Sequence, residues 1–360
     1  MTVTPDAPAA ATAPTVPAAP STATAQSTAT AETAAVAPTA PVAPVAPAAT
    51  APAVPTAPGL REARVPADGM YEGRRTLRRL PEGVAERPYD LFELVPRGRV
   101  IGAEVHGIDL SRPLTPELRD ELNRALLEWK VLFFRGQGLT SAQQRDFAAN
   151  WGELETNPLL ARGSSADVVR FEKGGNATPT FENVWHADVT FRERPALGAV
   201  LQLHEVPAVG GDTMWADMAA AYDNLPDAVK ARIDGAWAVH DFIPGFGRFY
   251  GPEKLIPLQE EFPPVEHPVV RTHPETGRRM LFVNTSFTTH IVGMDRDESD
   301  RLLSYLVRQA HVPEYQVRFT WQPGDIAFWD NRATQHYAID DYAPQRRVAE
   351  RVAIAGDRPY

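Results

Sequence analysis

The sequence predicts a mainly β protein with flanking helices, of the sandwich or jelly-roll kind, behind a low-complexity tail. Three observations carry that prediction. Short apolar runs recur through the second half of the chain with Gly- and Pro-containing turns between them, and they do not alternate with helices as βαβ units would. Only three segments carry a clear helical pattern. Residues 1–58 contain 52 Ala, Pro, Thr or Val and two charged residues, Asp6 and Glu32, so the folded body lies beyond them.

In the tail, units such as Pro41-Val42-Ala43-Pro44 remove backbone donors and fix φ, leaving an extended chain that can build no core. A disordered extension is expected over 1–58, with a surface-anchoring or partner-binding tail as the alternative. A start at Met70 would also retain almost the whole body. No basic start precedes an uninterrupted apolar core, so the segment does not read as a secretory signal. Residues 59–94 read as a linker or N-terminal arm.

The first helix starts at Thr115-Pro116-Glu117, a capping hydroxyl followed by proline and an acid, and continues through Leu118, Leu122, Ala125 and Leu126. Val131-Leu132-Phe133-Phe134 reads as a buried strand closed by Gly136. Ser141 with Gln144 suggests a capping box for a second helix running to Trp151. A third helix is expected over 297–309, with Leu302, Leu303, Leu306 and Val307 as its buried stripe. Candidate strands are 167–172, 196–203, 236–242, 268–272, 280–284, 316–321, 325–329 and 348–354. Residues 272–277 form a hairpin loop between two of them. The body shows no internal repeat.

Composition excludes several functions. With no cysteine, disulfide scaffolds, iron–sulfur clusters and thiolate zinc sites are ruled out. No 18-residue apolar stretch exists, so no membrane-spanning helix is expected. Residues 59–360 hold 36 basic against 44 acidic residues, a net charge of −8, which argues against nucleic acid as a partner. A soluble, cytoplasmic protein is the expectation.

Nine histidines are present, and two of them begin a His-x-Asp/Glu triplet. His273-Pro274-Glu275 sits in the hairpin loop, where proline hinders extended geometry. His186-Ala187-Asp188 lies in Asn183–Phe191, an apolar segment able to run as a strand, which would project His186 and Asp188 together. One imidazole and one carboxylate fill two neighbouring positions around a metal. A second histidine from a facing strand would leave three positions open, an arrangement suited to non-haem Fe(II) and O2. Taken alone, the triplet reads first as a hydrogen-bonded core histidine beside a capping acid.

The C-terminal segment changes that balance. Trp329-Asp330-Asn331-Arg332-Ala333-Thr334-Gln335-His336 is followed by Arg346, Arg347 and Arg351. With His186-x-Asp188, Gly210-Gly211-Asp212-Thr213 and His267-Pro268-Val269-Val270-Arg271-Thr272-His273-Pro274, it resembles the taurine dioxygenase (TauD/TfdA) family of Fe(II)/2-oxoglutarate-dependent dioxygenases, over residues 95–358. The resemblance implies a double-stranded β-helix (jelly roll, cupin-like) core, with Fe(II), 2-oxoglutarate and O2 as cofactor and cosubstrates, and a homo-oligomer acting on a small-molecule anion. It implies His186, Asp188 and His336 as iron ligands, with no catalytic residue beyond the iron site. Thr213 and Arg347 match the pair that holds the distal carboxylate of 2-oxoglutarate. Arg351 matches the arginine that takes the anionic group of the substrate; strand alternation puts 347, 349 and 351 on one face. Val189 could offer its backbone N–H to the same anion, and Phe246 and Phe287 match aromatic pocket residues.

The departures bear on substrate. Taurine-specific members carry a histidine and a tyrosine where this chain has Asn157 and Leu160, and an asparagine where it has Glu182. An acid beside a sulfonate is repulsive unless Arg351 or a substrate amine neutralises it, which weighs against taurine. The expected substrate is a small organic anion, first an alkyl sulfonate or sulfate ester. An aryloxyalkanoate or another small carboxylate is the alternative. A non-catalytic metal-binding jelly roll and a zinc hydrolase are the competing readings; neither explains a carboxylate-binding Thr/Arg pair. Residues 155–182, with Gly163, Gly174-Gly175 and Pro179, are the candidate substrate-covering loop.

Overall fold

The computed structural model describes residues 75–156, 166–174 and 182–360. The expected tail boundary at residue 58, Asn157, Leu160 and most of the 155–182 loop lie outside them. In chain order the first strands are β1 (Glu93–Pro96), β2 (Ala103–His106), β3 (Val131–Phe134), β4 (Val168–Lys173) and β5 (Gly198–Glu205). Next come β6 (Thr213–Asp217), β7 (Trp237–His240), β8 (Val265–Pro268), β9 (Val270–Thr272) and β10 (Arg279–Leu281). The last are β11 (Thr288–Ile291), β12 (Gln316–Phe319), β13 (Ile326–Asp330), β14 (Thr334–Ala338) and β15 (Arg347–Ile354). The helices that matter for packing are α1 (Pro116–Trp129), α2 (Ser141–Ala148) and α3 (Met218–Asp223). Four more follow: α4 (Asp227–Ile233), α5 (Ile243–Phe246), α6 (Pro252–Glu261) and α7 (Arg296–Val307). No helix among the described residues is long and apolar enough to cross a membrane.

The main sheet has seven strands in the order β1-β2-β3-β13-β5-β15-β4, antiparallel except between β2 and β3. Alternation along its strands sorts side chains onto two faces. Leu132, Phe134, Val200, Phe328, Val352 and Ile354 pack under α1 and α2. Phe133, Leu201, Ala327, Trp329 and Ala349 point to the opposite side, into the main core. There they meet the small sheet β12-β6-β14 through Trp215, Val317 and Phe319. Phe133 is the central contact. Its ring lies 4.0 Å from that of Phe319, nearly parallel, and 5.4 Å edge-on from that of Trp215. A second small sheet, β11-β7-β8, and the β9-β10 hairpin complete the strand inventory of the described residues.

The strand expectations agree with the observed elements to within a few residues, apart from one break. The segment 268–272 is divided between β8 and β9 because Val269 leaves the ladder, donating its N–H to Ala236. The hairpin loop at 272–277 is present, turning at Gly277 with φ +68°. Thr115 caps α1 as expected.

Three expectations are corrected. The second helix is capped by Thr140 with Gln143, one residue before Ser141 and Gln144. Thr140 has the extended backbone a cap needs, while Ser141 is already helical, and a 3-10 turn over Ala149–Trp151 ends the segment. In α7, Leu303 and Leu306 are buried, but Leu302 and Val307 only half so, because the helix lies on the core's margin and Ser299 turns inward instead. Asn183–Phe191 does not run as a strand. It makes a single bridge at His186 and then turns at 188–191.

Because Phe133 joins the two sheets that carry the candidate site, its loss is felt globally. Phe133→Ala is expected to lower stability by about 3–5 kcal/mol, read as a lower guanidinium midpoint with the m-value unchanged.

Candidate metal and carboxylate site

One strand, an isolated bridge and a turn bring the three candidate ligands together. His336 lies in β14, and its backbone exchanges two hydrogen bonds with His186: His186 N–H to His336 C=O at 3.1 Å, and His336 N–H to His186 C=O at 2.7 Å. Residues paired in this way across an antiparallel bridge project to the same side, and the imidazole centroids are 4.1 Å apart. Asp188 enters from the turn that follows. A donor atom from each of His186, Asp188 and His336 lies within 4.8 Å of the others, and all three residues are buried.

Electrostatics suit a cation at this point. Burial pushes the pKa of both histidines down, that of His336 well below the usual imidazole range, which favours the neutral imidazoles. His186 Nδ1 lies 3.1 Å from Val184 C=O, a hydrogen bond that leaves the lone pair on Nε2. For Asp188, burial opposes ionisation, but Arg351 and the two histidines outweigh it and lower its pKa. Arg351 Nη1 donates to Asp188 Oδ1 at 2.6 Å, while Asp188 Oδ2 and His336 Nδ1 are buried with no hydrogen-bond partner among the described residues. Orphaned buried acceptors are costly. Two neutral nitrogens and one carboxylate oxygen fit a borderline divalent ion such as Fe(II).

The turn carrying Asp188 is fixed by Asn331, a residue whose role the sequence did not disclose. Asn331 Oδ1 accepts from Asp188 N–H at 2.7 Å, and its Nδ2 donates to Asp188 C=O and Ala196 C=O, each at 3.1 Å. Every polar group of a fully buried amide is thereby used. The adjacent Asp330 is equally committed, accepting from Arg332 at 2.9 and 2.7 Å and meeting His273 Nε2 at 2.9 Å. His273 is therefore a partner of Asp330 in the core. The only advance signal for either residue was a polar pair ending an apolar strand.

Val189 follows with φ +47°, an unusual conformation for a β-branched residue. Its N–H has no acceptor among the described residues. Its side chain packs with Phe191, Phe242, Phe246 and Phe287, the last two 5.7 Å apart between rings. Phe246 and Phe287 thus stand together beside the ligand turn.

Thr213 and Arg347, the expected carboxylate pair, open two different strands. Thr213 opens β6, and its hydroxyl accepts from Trp321 Nε1 at 3.0 Å, which leaves the hydroxyl proton free to be donated. Arg347 opens β15 and is held by one contact, Nε to Gly211 C=O at 3.2 Å; it makes no ion pair among the described residues. Gly211 has φ +72°, and a Cβ there would meet Pro207 and Arg347. The Gly210-Gly211 pair is thus the close approach that sets the guanidinium. Arg347, Ala349 and Arg351 share the inner face of β15 as the alternation predicts, with Phe171 5.3 Å from the Arg351 guanidinium.

Glu182 departs from expectation. Its countercharge is neither Arg351 nor a substrate amine but Lys173, the last residue of β4, with which it forms an ion pair. No sequence signal links residues nine apart across a loop. Asn157 lies outside the described residues.

The family model for the taurine catabolism dioxygenase TauD, TfdA family matches residues 90–353. The chain is 39% identical over 269 residues to an alkylsulfatase of Acinetobacter baylyi, covering 71% of this chain and 83% of that protein. It is 38% identical over 287 residues to an alpha-ketoglutarate-dependent sulfate ester dioxygenase of Pseudomonas putida, covering 77% and 94%. A solved structure described as a putative alpha-ketoglutarate-dependent taurine dioxygenase from Burkholderia xenovorans superposes with TM-score 0.66 at 37% identity, over 74% of this chain and 94% of that one.

Removing the clamp on Asp188 should loosen the ligand set without unfolding the protein. Asn331→Ala is expected to weaken Co(II) or Fe(II) binding by about 10–100-fold, measured by anaerobic metal titration.

Proposed function

The chain belongs to the TauD/TfdA dioxygenase family, and on that premise we propose that it is an Fe(II)- and 2-oxoglutarate-dependent dioxygenase of a small organic anion, foremost an alkyl sulfate ester or sulfonate. The observation that carries this reading is the buried His186–Asp188–His336 cluster with an orphaned carboxylate oxygen. The names of its relatives support the choice of anion. The main sheet and the β12-β6-β14 sheet bracket the site, and we read them as the two sheets of a double-stranded β-helix.

Each residue then has a task. His186, Asp188 and His336 hold the iron. Thr213 donates its hydroxyl proton, and Arg347 its guanidinium, to the distal carboxylate of 2-oxoglutarate, a geometry suited to a planar cation. Arg351 and the unpaired Val189 N–H receive the substrate anion, and Phe246 and Phe287 with Val189 form an apolar wall that excludes water. Bound Fe(II) with 2-oxoglutarate and O2 supplies the oxidation, yielding succinate and CO2 as one oxygen atom enters a substrate C–H bond. Where the hydroxylated carbon also bears a sulfate ester oxygen, that product expels sulfate and leaves an aldehyde. The protein's own contribution is to orient that carbon by its anion and keep the site dry.

The test is substrate-stimulated succinate formation with Fe(II), ascorbate and 2-oxoglutarate. The panel comprises alkyl sulfates, alkyl sulfonates, taurine and aryloxy acids, with His186→Ala as the blank. Alkyl sulfates or sulfonates should stimulate most, and His186→Ala should abolish turnover. Arg351→Met should raise the substrate KM by about 10–100-fold while substrate-independent 2-oxoglutarate turnover persists. An unchanged substrate KM in that variant removes Arg351 from anion binding.

A further inference from the structure

Three ion pairs surround the site. Glu155 pairs with Arg192 at 3.1 Å, Asp212 with Arg318 at 2.6 Å, and Lys173 with Glu182. Each is internally neutral. The first two are fixed at the periphery, Glu155 reaching Asp188 and Arg351 only through its field and Asp212 reaching Arg347 likewise. The third is different. Glu182 acts electrostatically on His186, Arg347 and Tyr342, a candidate metal ligand and the candidate carboxylate anchor among them. Lys173 faces Arg347 directly across the β4–β15 ladder. Both side chains of the pair are largely buried.

We propose that the Lys173–Glu182 pair is a specificity element that fits the cavity to a monoanion carrying no amine. The proposal rests on the dioxygenase reading and narrows its substrate class. With the three pairs neutral and Arg351 paired with Asp188, Arg347 is the cation at the site that has no ion pair among the described residues, one positive unit. A divalent ion and the 2-oxoglutarate dianion cancel one another. One positive unit remains for the substrate, which a sulfate monoester, sulfonate or carboxylate neutralises. A phosphate monoester dianion overshoots. An ammonium-bearing sulfonate such as taurine finds the Glu182 carboxylate already taken by Lys173. The pair thus reconciles an acid at position 182 with an anionic substrate.

Each half of the pair can be removed separately. Lys173→Met strands the Glu182 carboxylate, which should weaken binding of an alkyl sulfate by about tenfold and tighten that of taurine. Glu182→Gln leaves Lys173 unneutralised and should tighten an alkyl phosphate by about tenfold. The double variant Lys173→Met/Glu182→Gln should restore the wild-type order of the three ligands. Dissociation constants are measured anaerobically on the Zn(II)- and 2-oxoglutarate-loaded protein, with no turnover, and they are compared between variants so that any constant background charge cancels. Opposite shifts for taurine and alkyl sulfate, reversed in the double variant, sustain the proposal. Parallel weakening of all three ligands, or a double variant no better than the worse single one, overturns it in favour of a purely structural tie. Failure of the wild-type protein to bind 2-oxoglutarate is a separate result, because it removes the dioxygenase reading itself.

Discussion

The arrangement depends on one small piece of backbone: the reciprocal hydrogen bonds between His186 and His336, at 3.1 and 2.7 Å. These residues are 150 positions apart, and no extended ladder joins their segments, since the bridge is isolated. An isolated bridge gains little on its own, because each net hydrogen bond contributes only about 1 kcal/mol. It persists because both flanks are fixed by other means. β14 is paired with β6 along its whole length, and the segment after His186 is pinned through Asn331. The bridge determines that the two imidazoles face one side.

The burial of polar groups around this point is organised for precision more than for stability. A buried ion pair seldom repays its full desolvation, yet Asp330, Arg332 and His273 form a closed network beneath the ligand turn. Burial alone would raise the pKa of Asp330; Arg332 and His273 reverse that and hold it well below the usual carboxylate range. A committed Asp330 fixes the end of β13, and with it the adjacent Asn331, whose amide has no remaining group to spend on an alternative partner. Strain follows the same pattern. Val189 adopts a conformation that costs about 1–3 kcal/mol, and what it obtains is an N–H directed away from its own backbone. The surrounding phenylalanines keep that turn from relaxing.

What the sequence disclosed follows from how strongly each feature is patterned. β3, β5, β13 and β15 alternate between two apolar cores, so their positions were legible within a few residues. The chemistry proposed for His186-x-Asp188 and for the Trp329–Arg351 run was legible only through the resemblance to the taurine dioxygenase family, since the triplet alone reads first as a core histidine beside a capping acid. β6 and β14 were not, because Thr213 and Gln335-His336 put functional polar side chains where alternation would be read. Asn183–Phe191 misled for the opposite reason: its apolar residues line a core while its backbone turns, and composition does not separate those cases. Lys173 was invisible, since its partner lies across a loop and pairing by charge leaves no periodic trace.

Arg351 links these levels. It occupies one oxygen of Asp188 and leaves the other without a partner, so the carboxylate is disposed to offer a cation a single atom. A one-atom carboxylate ligand keeps coordination positions open, as chemistry with two further reactants requires. The same guanidinium retains a buried Nε with no partner and lies on the ring of Phe171. It can therefore meet an anion without surrendering Asp188. Arg351 lies two residues along one face from Ala349 and four from Arg347, so the two cations stand on one face of β15 at a fixed spacing. Strand periodicity, a rule of backbone geometry, thus sets the distance between the two guanidinium groups.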